Sequence, residues 1–202
     1  LFINREIVRQ SARAAPVGTT ITVRELFGRL PARRSFLGTA ASEGRQITTL
    51  VSHYALAYPS IAFHLKAGRR PFATSGDGSL RHAVAAIYGA EHGTAMLDVE
   101  HEEAGVRVSG LAGPPSLHRG NRSGISVFVN GRWVQSPTLR FAVSDAYQSE
   151  LPSKRYPLAS VSIKLSPEEV DVNVHPAKAE VRFRDQRAVA RALRHAIVGA
   201  LE

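Results

Sequence analysis

The chain contains no cysteine, one methionine and one tryptophan among its 202 residues. Without cysteine there is no disulfide framework, no thiolate metal site and no cysteine nucleophile, a composition that fits a cytoplasmic protein. Long hydrophobic runs are also missing: charge or turn residues interrupt the apolar positions before any stretch reaches the roughly 18 to 20 residues of a membrane span. Acidic residues are scarce, 17 Asp and Glu against 26 Lys and Arg, for a formal net charge of +9. Such a surface attracts polyanions, nucleic acid among them. Arginine richness also follows from genomic base composition, so the placement of the charges has to carry the argument. There is no internal repeat or low-complexity segment. Leu1 is not an initiator methionine, and Leu1 to Val8 reads as a strand in mid-fold rather than a signal peptide, so further residues are expected before it.

What is present is 44% hydrophobic residues, enough for one large or two modest cores. Leu1 to Val8 and Thr19 to Leu26 suit an antiparallel strand pair. Pro31 opens a helix whose apolar stripe begins at Phe36 and Leu37, and Ser42 is placed to cap a second helix with a face of Ile47, Leu50, Val51, Tyr54 and Leu56. A hairpin over Ser60 to Ala73 follows, then the small, polar, glycine-rich run Thr74 to Ser79, where the domain boundary is expected. The expected domains are 1–75 and 76–202. In the second, a helix starts near Leu80 and strands cover Ala95 to His101, Val106 to Leu111, Ile125 to Asn130, Arg132 to Gln135, Leu158 to Leu165 and Val170 to Val174. A short strand over Val181 to Phe183 and helices over Pro137 to Gln148 and Gln186 to Leu201 complete it. Asn130-Gly131 is a hairpin turn signal, because both residues tolerate positive φ. The order of elements predicts an α+β fold, sheets layered with helices.

The segment richest in chemistry is Asp171-Val172-Asn173-Val174-His175-Pro176-Ala177-Lys178-Ala179-Glu180-Val181-Arg182-Phe183. Asp171, Asn173 and His175 alternate with valines, so a half-buried strand presents three polar side chains on one face until Pro176 stops it. Lys178 then falls in a turn, as a point charge on a flexible stem suited to reaching a phosphate bound elsewhere. By itself this pattern better describes a surface hairpin with solvated charges.

The segment resembles the signature of the MutL family of mismatch-repair proteins, Val-Asp-Val-Asn-Val-His-Pro-Ala-Lys followed by Glu-Val-Arg-Phe. Three further stretches are similar to the family's in the same order: Gly18 to Phe27, Pro31 to Leu37 and Phe128 to Arg132. The resemblance implies the C-terminal part of a split ATPase domain of the gyrase, Hsp90, histidine-kinase and MutL superfamily, followed by a ribosomal-protein-type transducer domain with a left-handed βαβ crossover. It further implies that Lys178 contacts the γ-phosphate of ATP and that Gly18 and Thr19 close the back of the nucleotide pocket. A β-branched strand residue after a turn glycine is an equally ordinary reading of Thr19. The cofactors implied for the intact protein are ATP and Mg2+. The implied partners are DNA bound without sequence preference, a mismatch-recognition protein of MutS type and a second copy of the chain.

The departures narrow these expectations. The family's general-base Glu, magnesium-binding Asn, Asp-x-Gly-x-Gly adenine loop and glycine-rich lid precede the Gly-Thr element, and none is in this sequence. Gly76-Asp77-Gly78 follows that element and does not replace the adenine loop. The chain therefore reads as an N-terminally truncated fragment that binds nucleotide weakly or not at all and does not hydrolyse ATP alone. For DNA, Arg119, Arg122, Arg132 and Arg140 gather around one hairpin, with Lys154 and Arg155 in a loop after the next helix; such groups neutralise backbone phosphates or form a solvated basic face. The family's stretch after the hairpin is often basic but is Gln135-Ser136-Pro137-Thr138 here. Arg33 and Arg34 oppose their helix dipole and suit an interdomain or structural contact. The eight histidines show no spacing that gathers ligands on one helix face, so no metal site is expected, and Trp133 reads as a packing residue. The ATPase and transducer region of a type II topoisomerase, or a stand-alone nucleic-acid-binding domain, are the alternatives.

Overall fold

The structure is a computed structural model that describes residues 2–3, 6–7, 14–66, 71–171 and 181–202. By compactness it divides into Leu1–Gly38 and Thr39–Glu202.

In the first unit, β1 (Phe2–Ile3) pairs antiparallel with β2 (Glu6–Ile7). The strand expected over Thr19 to Leu26 is not formed, and among the described residues the two segments do not pair. Ile21 is 82% exposed and Val23 71%, with no ladder partner among the described residues. A strand is stabilised by its cross-strand neighbours, and β-propensity alone does not hold it. Helix α1 (Pro31–Arg34) has Pro at its first turn as expected, but it is a single turn. Phe36 is 88% exposed, and Arg33 and Arg34 are exposed as well.

The second unit opens with α2 (Ala40–Ala57). Its cap is Thr39, not Ser42: the Thr39 hydroxyl accepts the Ser42 N–H at 3.2 Å, which satisfies one of the four unpaired donors of the first turn. The buried face overlaps the apolar stripe only in part, at Leu56 and, half-buried, Val51. Ser52, His53, Ala55 and Leu56 are buried, while Ile47, Leu50 and Tyr54 are about half exposed. Strands β3 (His64–Leu65) and β4 (Phe72–Ala73) form the expected hairpin, shortened to two pairs. The loop after it is tightly seated: Gly76 has φ +72, and a Cβ there would lie 2.6 Å from the Ala62 nitrogen, so only glycine fits. Ser79 then caps α3 (Leu80–Tyr88), followed by α4 (Ala90–Ala95).

The centre of this unit is a five-stranded sheet built from β5 (Leu97–Glu103), β6 (Val106–Ala112), β8 (Ile125–Val129), β9 (Arg132–Val134) and β11 (Ala159–Lys164), in the order β5-β6-β11-β8-β9. Between β6 and β8 lies the short β7 (His118–Arg119), which pairs with β10 (Tyr156–Pro157). Strands β8 and β11 run parallel and are joined through α5 (Pro137–Asp145), which gives a βαβ unit; the other pairs are antiparallel. The Asn130-Gly131 turn has φ of 47° and 80°, as its sequence requires. Asn130 also extends the parallel ladder, donating from Nδ2 to the Leu165 carbonyl at 3.1 Å and accepting the Leu165 N–H at 3.2 Å.

Alternation along the strands separates two apolar layers. Ile125, Val127 and Val129 of β8, with Val161 and Ile163 of β11, face α5 and the C-terminal helix α6 (Gln186–Leu201). Phe128, Trp133 and Leu111 point the other way and meet Leu56 of α2 and Ala83 and Val84 of α3. The first layer contains Leu139, Tyr147, Ile163, Leu193 and Ile197 at 0% exposure, each worth about 1.5–3 kcal/mol of apolar burial. Strands β12 (Val170–Asp171) and β13 (Arg182–Phe183) pair antiparallel beside α6. The mixed α+β class expected from the sequence is the class observed, and most strands of the second half lie within two residues of their predicted bounds.

Candidate functional site

The β7–β10 ladder places Arg119 opposite Tyr156. The next turn, Arg122–Gly124, is capped by Asn121, whose Oδ1 accepts the Ser123 N–H at 3.0 Å. Two aromatic rings order these cations. The Arg119 guanidinium lies 5.0 Å from the centroid of Tyr88 and that of Arg122 lies 4.8 Å from the centroid of Tyr156, contacts worth about 0.5–1 kcal/mol each at partly exposed positions. Burial pushes the Tyr88 phenol above its ordinary value, so the ring under Arg119 stays neutral and its face electron-rich. Arg155 reaches over the Arg119–Gly120 turn, where a Cβ on Gly120 would be 3.8 Å from its Nη1. Arg122 and Arg140 line one shallow cleft of about 470 Å3 with Pro137, Thr138 and Phe141, and Phe141 is 62% exposed. The Arg140 Nε is buried and has no hydrogen-bond partner among the described residues.

Four of the six cations singled out in the sequence thus lie around the β7–β10 ladder and the start of α5. Among the described residues none of Arg119, Arg122, Arg140 and Arg155 is ion-paired, whereas Arg81, Arg107, Arg184, Arg191 and Arg194 are. Lys154 is exposed in the turn just before Arg155, with φ +59. Arg132 lies elsewhere: it lines a second cleft of about 650 Å3 between α2 and the β8–β9 hairpin, with Tyr54, Tyr58 and Trp133.

That second cleft holds a residue that no motif or spacing marks. His53 is buried, accepts from or donates to the Ser126 hydroxyl at 3.2 Å, and lies against the indole of Trp133. Desolvation lowers its pKa to about 4, so it is a neutral packing group. The Tyr58 hydroxyl donates to the Gly131 carbonyl at 3.1 Å and ties the end of α2 to the hairpin turn. Trp133 is a packing residue, as expected from the sequence.

Gly18, with φ +145, and Thr19 are both exposed in the first unit. Lys178, with Asn173, His175 and Pro176, lies outside the described residues. On either side of them the chain is paired, Val170 with Phe183 and Asp171 with Arg182.

A further group was invisible to spacing because its members are far apart in sequence. His101 and Glu103 on β5 meet His195 and Arg191 on α6. Glu103 Oε2 lies 2.8 Å from His195 Nδ1 and 3.4 Å from His101 Nε2, while Oε1 accepts from Arg191 Nε at 3.0 Å.

Fold and surface together define a class: an α+β module with a parallel βαβ unit and an arginine ledge that has no ion pair among the described residues. Residues 84–202 match the family model described as "DNA mismatch repair protein, C-terminal domain". The chain is 43% identical over 201 residues to the DNA mismatch repair protein MutL of Symbiobacterium thermophilum, a match covering 97% of this chain and 32% of that protein. Among solved structures it is similar to the N-terminal domain of a DNA repair protein, with TM-score 0.67, 22% identity and coverage of 87% of this chain and 58% of the other. It is also similar to the ADP-complexed ATPase domain of MutL from Aquifex aeolicus, with TM-score 0.55, 24% identity and coverage of 72% and 52%. The chain belongs to the MutL family of DNA mismatch repair proteins, as the signature around residues 171–183 implied. It spans about a third of the length of the curated relative.

Proposed function

We propose that this chain is the DNA-contacting and nucleotide-coupled part of a MutL-type mismatch-repair factor. In this reading residues 1–75 complete an ATPase domain and residues 76–202 form the transducer. The transducer lays Arg119, Arg122, Arg140 and Arg155 on the phosphate backbone, with Lys154 and Arg132 as outlying contacts. Backbone contacts position a protein without reading sequence, which suits a factor that acts wherever a mismatch occurs. The observation that carries this reading is the ledge itself: four guanidiniums, two of them ordered by aromatic rings, and none ion-paired among the described residues.

The contribution to nucleotide is proposed to be narrow. Lys178 would supply one positive charge to a terminal phosphate, and Gly18 and Thr19 would flank the base, in an intact protein that binds ATP with Mg2+. The 202 residues alone are proposed to bind DNA and not to turn over ATP, because the family's general-base Glu and magnesium-binding Asn have no counterpart in the sequence. The proposed partners of the intact protein are a MutS-type mismatch-recognition protein and a second copy of itself, and the proposed compartment is the bacterial cytoplasm. No helix of the described residues is long and apolar enough to cross a membrane.

Fluorescence anisotropy with several unrelated duplexes tests the DNA half: similar affinities for all of them, reduced together by Arg122→Glu, are expected. Affinity unchanged by Arg122→Glu and Arg140→Glu combined would remove the ledge from the account. For Lys178, the readout is ATP turnover of a chain of the relatives' full length with and without Lys178→Ala; equal rates would sink its role.

A further inference from the structure

We propose that His101, Glu103 and His195 form a binding site for a zinc-type divalent cation that clamps α6 to strand β5. The inference rests on these side chains alone and stands apart from the mismatch-repair reading.

The backbone brings the three groups together. His101 and Glu103 are two residues apart on β5 and therefore share a face, the face on which Val99 is buried. Arg191 and His195 are four residues apart on α6, one above the other along the helix. Because α6 packs across β5 with Val189, Ala192, Leu193 and Ala196 in the core, both backbones are held in place under the cluster.

The donor atoms converge. One potential ligand atom from each of the three residues lies within 4.8 Å of the others, and both histidine nitrogens approach the same carboxylate oxygen, Glu103 Oε2. Metal–ligand distances of about 2.0–2.2 Å place tetrahedral donors roughly 3.4 Å apart, so the widest pair has to close by about an ångström or somewhat more. The His195 side chain is 45% exposed and has room to make that adjustment. Two imidazoles and one carboxylate form the donor set that zinc-type cations prefer over the all-oxygen sets of Mg2+ and Ca2+. Three protein ligands leave a fourth position for water.

Arg191 has two opposing effects. Its Nε holds Glu103 Oε1 and orients the carboxylate with Oε2 facing the histidines, the arrangement that outer-sphere partners give to metal ligands. Its charge also opposes the cation, which sets the expected affinity below that of a closed four-ligand structural site. β5 is an edge strand, ordered outermost beside β6. A cation there would fasten the sheet's edge to the C-terminal helix.

The test is a Co2+ titration of the 202-residue chain followed by visible absorption, with calorimetry for Zn2+ and Mg2+. The expected result is one equivalent of Zn2+ or Co2+ and no Mg2+, with His101→Ala and His195→Ala each weakening binding by about tenfold or more. His82→Ala, which alters a surface pair with Asp77, should leave binding unchanged. In case a variant misfolds, imidazole NMR of the unaltered chain gives a second readout: Zn2+ should shift His101 and His195 and leave His82 in place. The proposal is overturned if Zn2+ leaves both resonances unmoved, if other histidines shift instead, or if the folded double variant binds as tightly as the unaltered chain.

Discussion

The imidazole of His53 on α2 stacks on the indole of Trp133 on β9, ring centroids 3.8 Å apart and planes 19° from parallel. The pair joins a helix from the first half of the chain to the central sheet of the second, and the His53 contact to Ser126 fixes the ring from the other side. Burial lowers the His53 pKa from 6.5 to about 4. Between those values the unfolded chain binds a proton that the folded chain does not, so stability rises with pH across the window and falls as pH drops from 6.5 toward 4. A shift of that size is worth roughly 3 kcal/mol when fully expressed. Urea unfolding at pH 7 and pH 4.5 should show His53→Phe with a smaller acid loss than the unaltered chain; an identical loss would mean that His53 is not the titrating group.

Asn130 supplies both a turn residue with φ of 47° and two hydrogen bonds to Leu165. Asn130→Ala removes both bonds and strains the turn, and is expected to cost about 1–3 kcal/mol by chemical denaturation. Asn130→Gly keeps the turn conformation and should cost less. Equal losses for the two would show that the backbone conformation is not part of the cost.

Tyr147 is fully buried after α5, and its hydroxyl donates to the Gly113 carbonyl at 2.7 Å. Desolvation drives its pKa far above the usual phenol value, so it remains a donor at every working pH. Tyr147→Phe should cost about 1–3 kcal/mol, because the Gly113 carbonyl loses its partner. Tyr147→Ala should cost more, about 3–5 kcal/mol, through the cavity it opens. Comparable losses for the two variants would place the contribution in the hydrogen bond rather than the ring.

Much of the second half was legible because its elements are locally consistent. Ile125 to Val129 alternates, Asn130-Gly131 can only turn, and Gln186 to Leu201 carries a helical stripe, so sequence and structure agree there within a residue or two. The first unit was not legible in the same way: Thr19 to Leu26 has strand propensity but no strand beside it among the described residues, and pairing is a tertiary property. On α2, apolar spacing selected Ile47, Leu50, Val51, Tyr54 and Leu56; Leu56 is buried and Val51 half-buried, but Ile47, Leu50 and Tyr54 are about half exposed while Ser52 and His53 are buried. Periodicity ranks faces by hydrophobicity, and His53 is buried for its ring rather than its polarity. The arginines near the hairpin were visible as a cluster, but their division into a ledge and the separate Arg132 depends on the elements that carry them: Arg119 is on β7, Arg122 on the turn after it and Arg140 on α5, whereas Arg132 is on β9. The His101–Glu103–His195 group could not be found by spacing, because a strand and a helix from distant parts of the chain bring it together.

The arginine ledge is proposed to carry DNA binding through phosphate contacts. Each phosphate neutralised on duplex DNA contributes about −0.9 to the slope of log K against log salt concentration. The measurement is that slope for the 202-residue chain and for the Arg119→Ala, Arg122→Ala, Arg140→Ala triple variant. Weaker binding and a slope shallower by roughly 2 to 3 are expected of the variant. A triple variant that is folded, binds DNA as well as the unaltered chain and keeps the same slope would contradict the proposal.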